Sequence, residues 1–141
     1  MIGNTEGGLA DSIIEHAADA VIFADVEGVI RVWNRAAEAI FGFTAGEAVG
    51  QSLDLIVPER LRAAHWVAFH RAMASGTTRL GGRATVTRAL SKSGQPLYVD
   101  LSFAVVRGAA GRVTGSVGVA RDATRRHEEE KARRAESGGR P

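Results

Sequence analysis

Between residues 97 and 105 the sequence alternates between apolar and polar side chains. Successive side chains of a β-strand point to opposite faces of the sheet, so this period of two predicts a half-buried strand. Such strands are typical of antiparallel sheets that cover a core on one face. The apolar members are Leu97, Val99, Leu101, Phe103 and Val105, and Tyr98, Asp100 and Ser102 stand between them. We therefore expect the chain to be built around an antiparallel sheet.

Four other segments are predicted to be strands. They are residues 21–25, 29–33, 83–90 and 113–120, and a turn at 25–28 makes the first two a hairpin. Helices are predicted at residues 9–17, 34–42 and 59–74, with a one-turn helix after Thr44 and a charged helix from Asp122. Asn34 is expected to cap a helix, and Thr44 with Glu47 fits a capping box. The predicted fold class is α+β: a five-stranded antiparallel sheet with helices on one face and flanking terminal helices.

The absence of cysteine from the 141 residues excludes several classes of chemistry. A disulfide framework, a thiolate nucleophile, a cysteine-ligated metal and a covalently attached c-type haem all require that residue. The sequence also contains no G-x-S-x-G, P-loop, H-E-x-x-H or G-x-G-x-x-G motif. We therefore do not expect an enzyme.

The charge pattern bears on the expected partners and location. The net charge is +2, and basic and acidic residues are interleaved between residues 125 and 140. That mixture is typical of a solvated helix face rather than of a phosphate-binding patch, so nucleic acid is not an expected partner. Residues 1–6 lack the pattern of a signal peptide, and no apolar run reaches the ~18 residues of a membrane span. The sequence predicts a cytoplasmic protein that does not engage a membrane.

A series of short motifs, taken in chain order, resembles the PAS family of sensory domains. The motifs are residues 20–25 and 28–30, residues 33–38, Phe41-Gly42, residues 47–52, Pro58-Glu59-Arg60, Ser93-Gly94 and residues 121–124. The resemblance runs from about Ile14 to Thr124, and it implies a domain that senses small molecules, redox state or light. The missing cysteine argues against a flavin that forms a cysteinyl adduct and against a thioester-held chromophore. Haem, another non-covalent ligand or no ligand remain open.

His65 falls on the apolar face predicted for the long helix. At about 100° per residue, His70 points roughly the opposite way, toward solvent or a partner. The apolar stripe that includes His65 consists of Leu61, Ala64, Ala68, Phe69 and Ala72. A neutral imidazole in a dry cleft is a good ligand for haem iron. From the residues alone, a core histidine that donates one hydrogen bond is the alternative interpretation.

The segment from Pro58 to His65, with Arg71 six residues later, resembles the corresponding helix of FixL-type oxygen-sensing kinases. The resemblance implies that His65 is the proximal ligand of b-type haem. It also implies that Arg71 lies near a haem propionate.

The same resemblance implies that Leu101 and Phe103 are apolar residues on the distal side. The arginine that holds oxygen in FixL-type domains is replaced here by Thr85. Arg83, two residues earlier on the same predicted strand face, is its candidate substitute. If the arginine is missing, nitric oxide or carbon monoxide become expected ligands beside oxygen.

Two functions therefore remain open: a haem-based sensor of a diatomic gas, or a non-haem small-molecule-binding or dimerisation module in signal transduction. We divide the chain into an N-terminal flanking helix (1–18), a sensory core (19–121) and a C-terminal signalling helix with a frayed tail (122–141). A homodimer is expected through the first helix, where Ile13 and Ile14 need a surface to cover them. The resemblance implies an effector kinase or cyclase as a further partner.

Overall fold

A computed structural model of the chain describes residues 8–79 and 81–138. Part of the predicted N-terminal segment, residues 1–7, and the end of the predicted tail, residues 139–141, lie outside the described residues. The helices are α1 (Leu9–His16), α2 (Arg35–Phe41), α3 (Ala45–Ala48), α4 (Arg62–Ser75) and α5 (Thr124–Gly138). The strands are β1 (Ala20–Asp25), β2 (Ile30–Trp33), β3 (Thr85–Ala89), β4 (Leu97–Arg107) and β5 (Val113–Asp122). Two short 3₁₀ turns, Leu53–Leu55 and Glu59–Leu61, lead from α3 into α4.

The five strands form one antiparallel sheet in the order β2-β1-β5-β4-β3. The N-terminal strand β1 therefore lies beside the C-terminal strand β5, where Ile22 pairs with Gly118. On the other side of β5, Phe103 of β4 also pairs with Gly118. This arrangement confirms the predicted fold class.

The sheet has one face in the core and one outside it. Leu97 and Val99 of β4 are buried beneath α2 and α4, where Phe41 and Phe69 also lie. Tyr98, between them, points to the other face and stacks on His127 of α5 at 3.9 Å between ring centroids. The predicted alternation is confirmed, and α5 covers part of the outer face.

Local capping explains where α2 and α3 begin. The Asn34 side-chain oxygen accepts a hydrogen bond from the Ala37 amide at 3.0 Å, and α2 ends at Gly42, whose φ is +85°. Before α3, Thr44 Oγ1 accepts from the Glu47 amide, and the Glu47 carboxylate accepts from the Thr44 amide. Both predicted caps are present.

Two boundaries differ from the sequence-based expectation. The strand predicted from residue 83 begins at Thr85, because Gly81 and Gly82 both have positive φ, at +60° and +86°, and turn the chain just before it. The prediction that Arg83 lies on a strand face is therefore wrong. The long helix begins with a 3₁₀ turn after Pro58 and becomes α-helical at Arg62. Among the described residues, no helix is both long enough and apolar enough to cross a bilayer.

Candidate ligand-binding site

A cavity of about 370 Å³ lies between the sheet and the helices that cover it. Its volume is within the range of roughly 300–1,000 Å³ that small-molecule sites occupy. The sheet supplies Ile22, Ala24, Val99, Leu101 and Phe103, and the covering segments supply Phe41, Leu53, Ile56, Val57, Leu61 and Ala64. Of the lining residues, Ala64 on α4 is the one that is exposed. The site is a largely apolar chamber.

Polar side chains enter this chamber from three elements. His65 lies on α4, Thr87 on β3 and Ser116 on β5. Arg88 also lines the cavity, but it alternates with Thr87 and its guanidinium carbon lies 5.6 Å from the Tyr98 ring centroid on the outer face. Arg88 therefore contributes main-chain atoms, and its charge lies outside the chamber.

His65 Nδ1 is buried and forms no hydrogen bond within residues 8–79 and 81–138. The imidazole packs edge-on against Trp66 at 4.7 Å between ring centroids, and Phe69 lies 6.0 Å away. Burial lowers the pKa of His65 below its ordinary value; the nearby Asp54 carboxylate raises it and His70 lowers it, both less strongly than burial. The imidazole is consequently neutral at pH 7, which is the form that ligates a metal.

The helix that carries His65 is fixed by its neighbour Trp66. The Trp66 Nε1 group donates a 2.8 Å hydrogen bond to Asp54 Oδ1, and its ring lies against Gly28 in the β1–β2 turn. Gly28 has a φ of +82° and no side chain, so the indole can approach the main chain closely. Arg62 Nε lies 3.7 Å from the same Asp54 oxygen. Together these contacts hold the first turns of α4 over the cavity.

The apolar stripe predicted for the long helix is partly wrong. Phe69 and Ala72 are buried, as expected, but Ala64 and Ala68 are exposed. The buried face is centred on Phe69, and Trp66 rather than Ala68 packs against the core. His70 is exposed, as predicted, and stacks on Trp66 at 5.6 Å.

The structure brings only part of the predicted site together. His65, Leu101 and Phe103 line the cavity. Arg71 is exposed on α4 and does not line the cavity. At ~100° per residue it lies about 120° from His65 around the helix axis. Thr85 and Arg83 are also exposed and do not line the cavity. The roles expected of these three residues toward a ligand stay predictions.

Sequence reasoning missed Thr87 and Ser116. Thr87 shares a strand face with Ala89, which is buried, so alternation along β3 could have placed it inward. Ser116 pairs with Ala24 of β1 and is 2% exposed, but it lies in a stretch with glycines at 115 and 118 that shows no clear alternation. Its orientation follows from strand register.

The donor set fits a haem held by a single histidine. Haem iron takes one protein ligand on its proximal side in many proteins, and the wall around it is then mostly apolar. His65 supplies a neutral imidazole with an unpaired buried nitrogen in such a wall. The described residues contain no group of three or more metal-binding side chains, so the chamber does not resemble a multidentate metal site.

Comparison with known proteins identifies the class. The model of the PAS fold matches residues 9–123, and the chain belongs to the PAS family. It is 39% identical over 54 residues to the sensor protein FixL of Bradyrhizobium diazoefficiens; the match covers 38% of this chain and 11% of FixL.

Two solved structures share the fold. The PAS domain of a protein from Colwellia psychrerythraea gives a TM-score of 0.69 at 20% identity, covering 80% of this chain and 92% of that one. An RNA-binding light-oxygen-voltage receptor gives 0.75 at 24% identity, covering 92% of this chain and 36% of that one. The chain is thus a PAS sensory domain, a class of module that takes part in signal transduction.

Proposed function

We propose that this PAS domain binds b-type haem through His65 and senses a diatomic gas. The observation that carries the proposal is the buried, unpaired Nδ1 of a neutral imidazole in an apolar cavity. An unpaired buried nitrogen is unfavourable in the free protein, so its presence favours a ligand that completes the site. The similarity to FixL over 54 residues supports the same proposal.

In this proposal each residue has a defined role. His65 would ligate the iron from the α4 side, while Leu101 and Phe103 on the sheet would exclude water from the other side. Haem itself supplies the gas-binding iron. The guanidinium of Arg88 lies over Tyr98 on the outer face, and Arg83 lies away from the cavity. No arginine of residues 8–79 and 81–138 therefore places its charge in the cavity, and we favour nitric oxide or carbon monoxide over oxygen.

A visible absorption titration with haem tests the assignment. We expect wild-type protein to give an intense Soret band that shifts on reduction and on addition of carbon monoxide. His65→Ala should lose this band, whereas His70→Ala should keep it, because His70 is exposed on the same helix and does not line the cavity. A spectrum that is unchanged in His65→Ala would contradict the assignment.

A second candidate function is a non-haem small-molecule sensor or dimerisation module. Thr87 and Ser116 favour it, because two hydroxyls on the cavity wall suit an organic ligand with polar groups of its own. Protein that stays colourless with added haem but is stabilised by an uncharged organic ligand would favour this candidate over the first.

We further propose that the domain is a cytoplasmic, non-catalytic homodimer that passes its signal to an effector kinase or cyclase and binds neither nucleic acid nor membrane. Leu9 and Ile13 support the dimer, because they lie one turn apart on α1 and are 77% and 60% exposed. Ile14 is only partly exposed, and its main-chain oxygen accepts a hydrogen bond from Asn34. The dimer surface therefore centres on Leu9 and Ile13 rather than on Ile13 and Ile14.

A further inference from the structure

The cavity contains a buried polar side chain that the proposed haem ligation does not use. Ser116 is 2% exposed, pairs with Ala24 across the β1–β5 register and lines the cavity. Its hydroxyl forms no hydrogen bond with any of the described residues. Because this oxygen is unpaired but is not itself fully buried, it borders the space inside the cavity, where a ligand can reach it.

Ser116 belongs to an enclosed part of the cavity wall. Its strand partner Ala24 also lines the chamber, and the two residues are 2% and 1% exposed. We call this part of the wall the closed end. A molecule bound in the chamber would meet Ser116 on the sheet side.

The chamber offers no charge to a ligand. Of its described lining residues, only Arg88 carries a fixed charge, and that charge lies over Tyr98 on the outer face of the sheet. Leu101, Phe103 and Ile22 make the remaining sheet wall apolar. A charged group at the closed end would be desolvated without a counter-charge, which is strongly unfavourable. The part of the ligand beside Ser116 is therefore uncharged.

We propose that Ser116 is a ligand-recognition residue whose hydroxyl donates a hydrogen bond to an uncharged acceptor atom at the closed end of the cavity. The inference rests on the proposed function in one respect, namely that the sensed molecule binds in this cavity. Two kinds of ligand offer such an uncharged acceptor atom. One is a diatomic gas held beside haem, and the other is the carbonyl oxygen of an apolar organic molecule.

Two probes distinguish these sources, each applied to wild type, Ser116→Ala and Ser102→Ala. Ser102 is the matched control, because it is a serine of the same sheet that pairs with Val119 and does not line the cavity. The first probe is carbon monoxide added to reduced, haem-loaded protein, with the C–O stretching frequency read by infrared spectroscopy. The second is Nile red, a neutral planar dye with a carbonyl acceptor, titrated into haem-free protein by fluorescence.

We expect Ser116→Ala to raise the C–O stretching frequency if the gas is the acceptor. If an organic carbonyl is the acceptor, Ser116→Ala should weaken Nile red binding by roughly 2- to 12-fold, the loss of one neutral hydrogen bond, and shift its emission to the blue. Ser102→Ala should change neither reading. The melting temperature of Ser116→Ala should not fall, because no hydrogen bond within the protein is removed.

The outcomes separate the two proposals. If haem does not bind the wild type but Nile red binding depends on Ser116, the haem assignment fails and the role of Ser116 stands. If either probe binds and neither reading responds to Ser116→Ala, the role of Ser116 is overturned while the cavity remains the binding site. Wild-type protein that binds neither probe would overturn both proposals.

Discussion

At the scale of single residues, the hydrogen bonding of buried polar side chains separates structural residues from candidate ligand-binding ones. Asn34 is 1% exposed and fully bonded: its oxygen accepts from the Val21 and Ala37 amides, and its nitrogen donates to the Ile14 and Asp19 carbonyls. It therefore ties α1, β1 and α2 together. His65 Nδ1 is also buried but has no such partner among the described residues. Arg88 Nε is buried and unpaired too, but its guanidinium lies over Tyr98 on the outer face. Complete bonding therefore indicates a structural role, and an unpaired atom that faces the cavity indicates a binding role.

The lowered pKa of His65 predicts how the free protein responds to acid. The unfolded chain takes up a proton near the ordinary histidine pKa of about 6.5, whereas burial makes the folded imidazole resist protonation to lower pH. The unfolded state then binds more protons, so stability falls as the pH falls below about 6.5. We expect His65→Gln to lose less stability than wild type between pH 7.5 and 5.5, as measured by urea denaturation. Equal pH dependence in the two proteins would contradict the assignment, and His70→Gln serves as the control.

At the scale of elements, α4 is held in place by contacts outside its own sequence. Trp66 lies against Gly28 of the β1–β2 turn and donates to Asp54 of the preceding 3₁₀ turn. The placement of the cavity roof therefore depends on a turn about 40 residues earlier in the chain. A change in that turn should therefore shift the position of His65, because His65 is next to Trp66 on α4.

Substitution of Gly28 tests this coupling. Gly28→Ala places a methyl group into the Trp66 ring and also forces alanine into a φ of +82°. Gly94→Ala is the matched control, because Gly94 has a φ of +81° and open space around its Cα. We expect Gly94→Ala to cost about 1–2 kcal/mol of unfolding free energy, from the positive φ alone, and Gly28→Ala to cost about 1–3 kcal/mol more from steric overlap. Gly28→Ala should also alter tryptophan fluorescence, because Trp66 has to move. If the two substitutions lower the unfolding free energy equally, the contact between Gly28 and Trp66 is not what holds α4.

The first turn of α5 is attached to β4 through Thr124. Its hydroxyl accepts from the Tyr98 amide at 2.9 Å and donates to the Tyr98 carbonyl at 3.3 Å, and His127 stacks on the Tyr98 ring. Tyr98 lies between Leu97, a core residue, and Val99, which lines the cavity. We expect Thr124→Val to speed amide hydrogen exchange in α5 by roughly 5- to 150-fold, because both of these hydrogen bonds are lost. Thr114→Val, at the far end of β5, should leave the exchange rates of α5 unchanged. If exchange in Thr124→Val is no faster than in the wild type, this attachment is contradicted.

At the scale of the whole molecule, the domain presents apolar side chains outside its core. Ile13 on α1 and Val67 on α4 are each 60% exposed. Exposure of single apolar residues is common, so oligomerisation has to be argued from their arrangement. Leu9 and Ile13 form a continuous pair on one helix face, which is what a second copy of α1 or the sheet of a partner would cover.

We expect wild-type protein to be a dimer and Ile13→Glu to be a monomer in multi-angle light scattering. A buried glutamate at the interface would be desolvated without a partner, whereas Val67→Glu should leave the dimer intact. A wild-type monomer at all accessible concentrations, or dissociation by Val67→Glu alone, would move the interface away from α1.

The fold was largely predictable because its signals are local. The alternation of Leu97, Tyr98 and Val99 depends only on strand geometry, and Asn34 and Thr44 cap helices through residues three positions away. The boundary at Thr85 was missed because two glycines, rather than a change in hydrophobicity, end the preceding loop. The site was predicted less completely, since a cavity is lined by residues distant in sequence.

The sequence by itself determined the order of elements, the fold class and the position of His65 on the inner side of a helix, because each follows from periodicity within one segment. The tertiary structure decided which side chains share the cavity: Thr87 and Ser116 lie inside it, while Arg71, Arg83 and Thr85 lie away from it. It also turned the charge of Arg88 to the outer face, over Tyr98. The reason is physical: these placements depend on strand register and on how far α4 stands from the sheet, and contacts between distant segments set both.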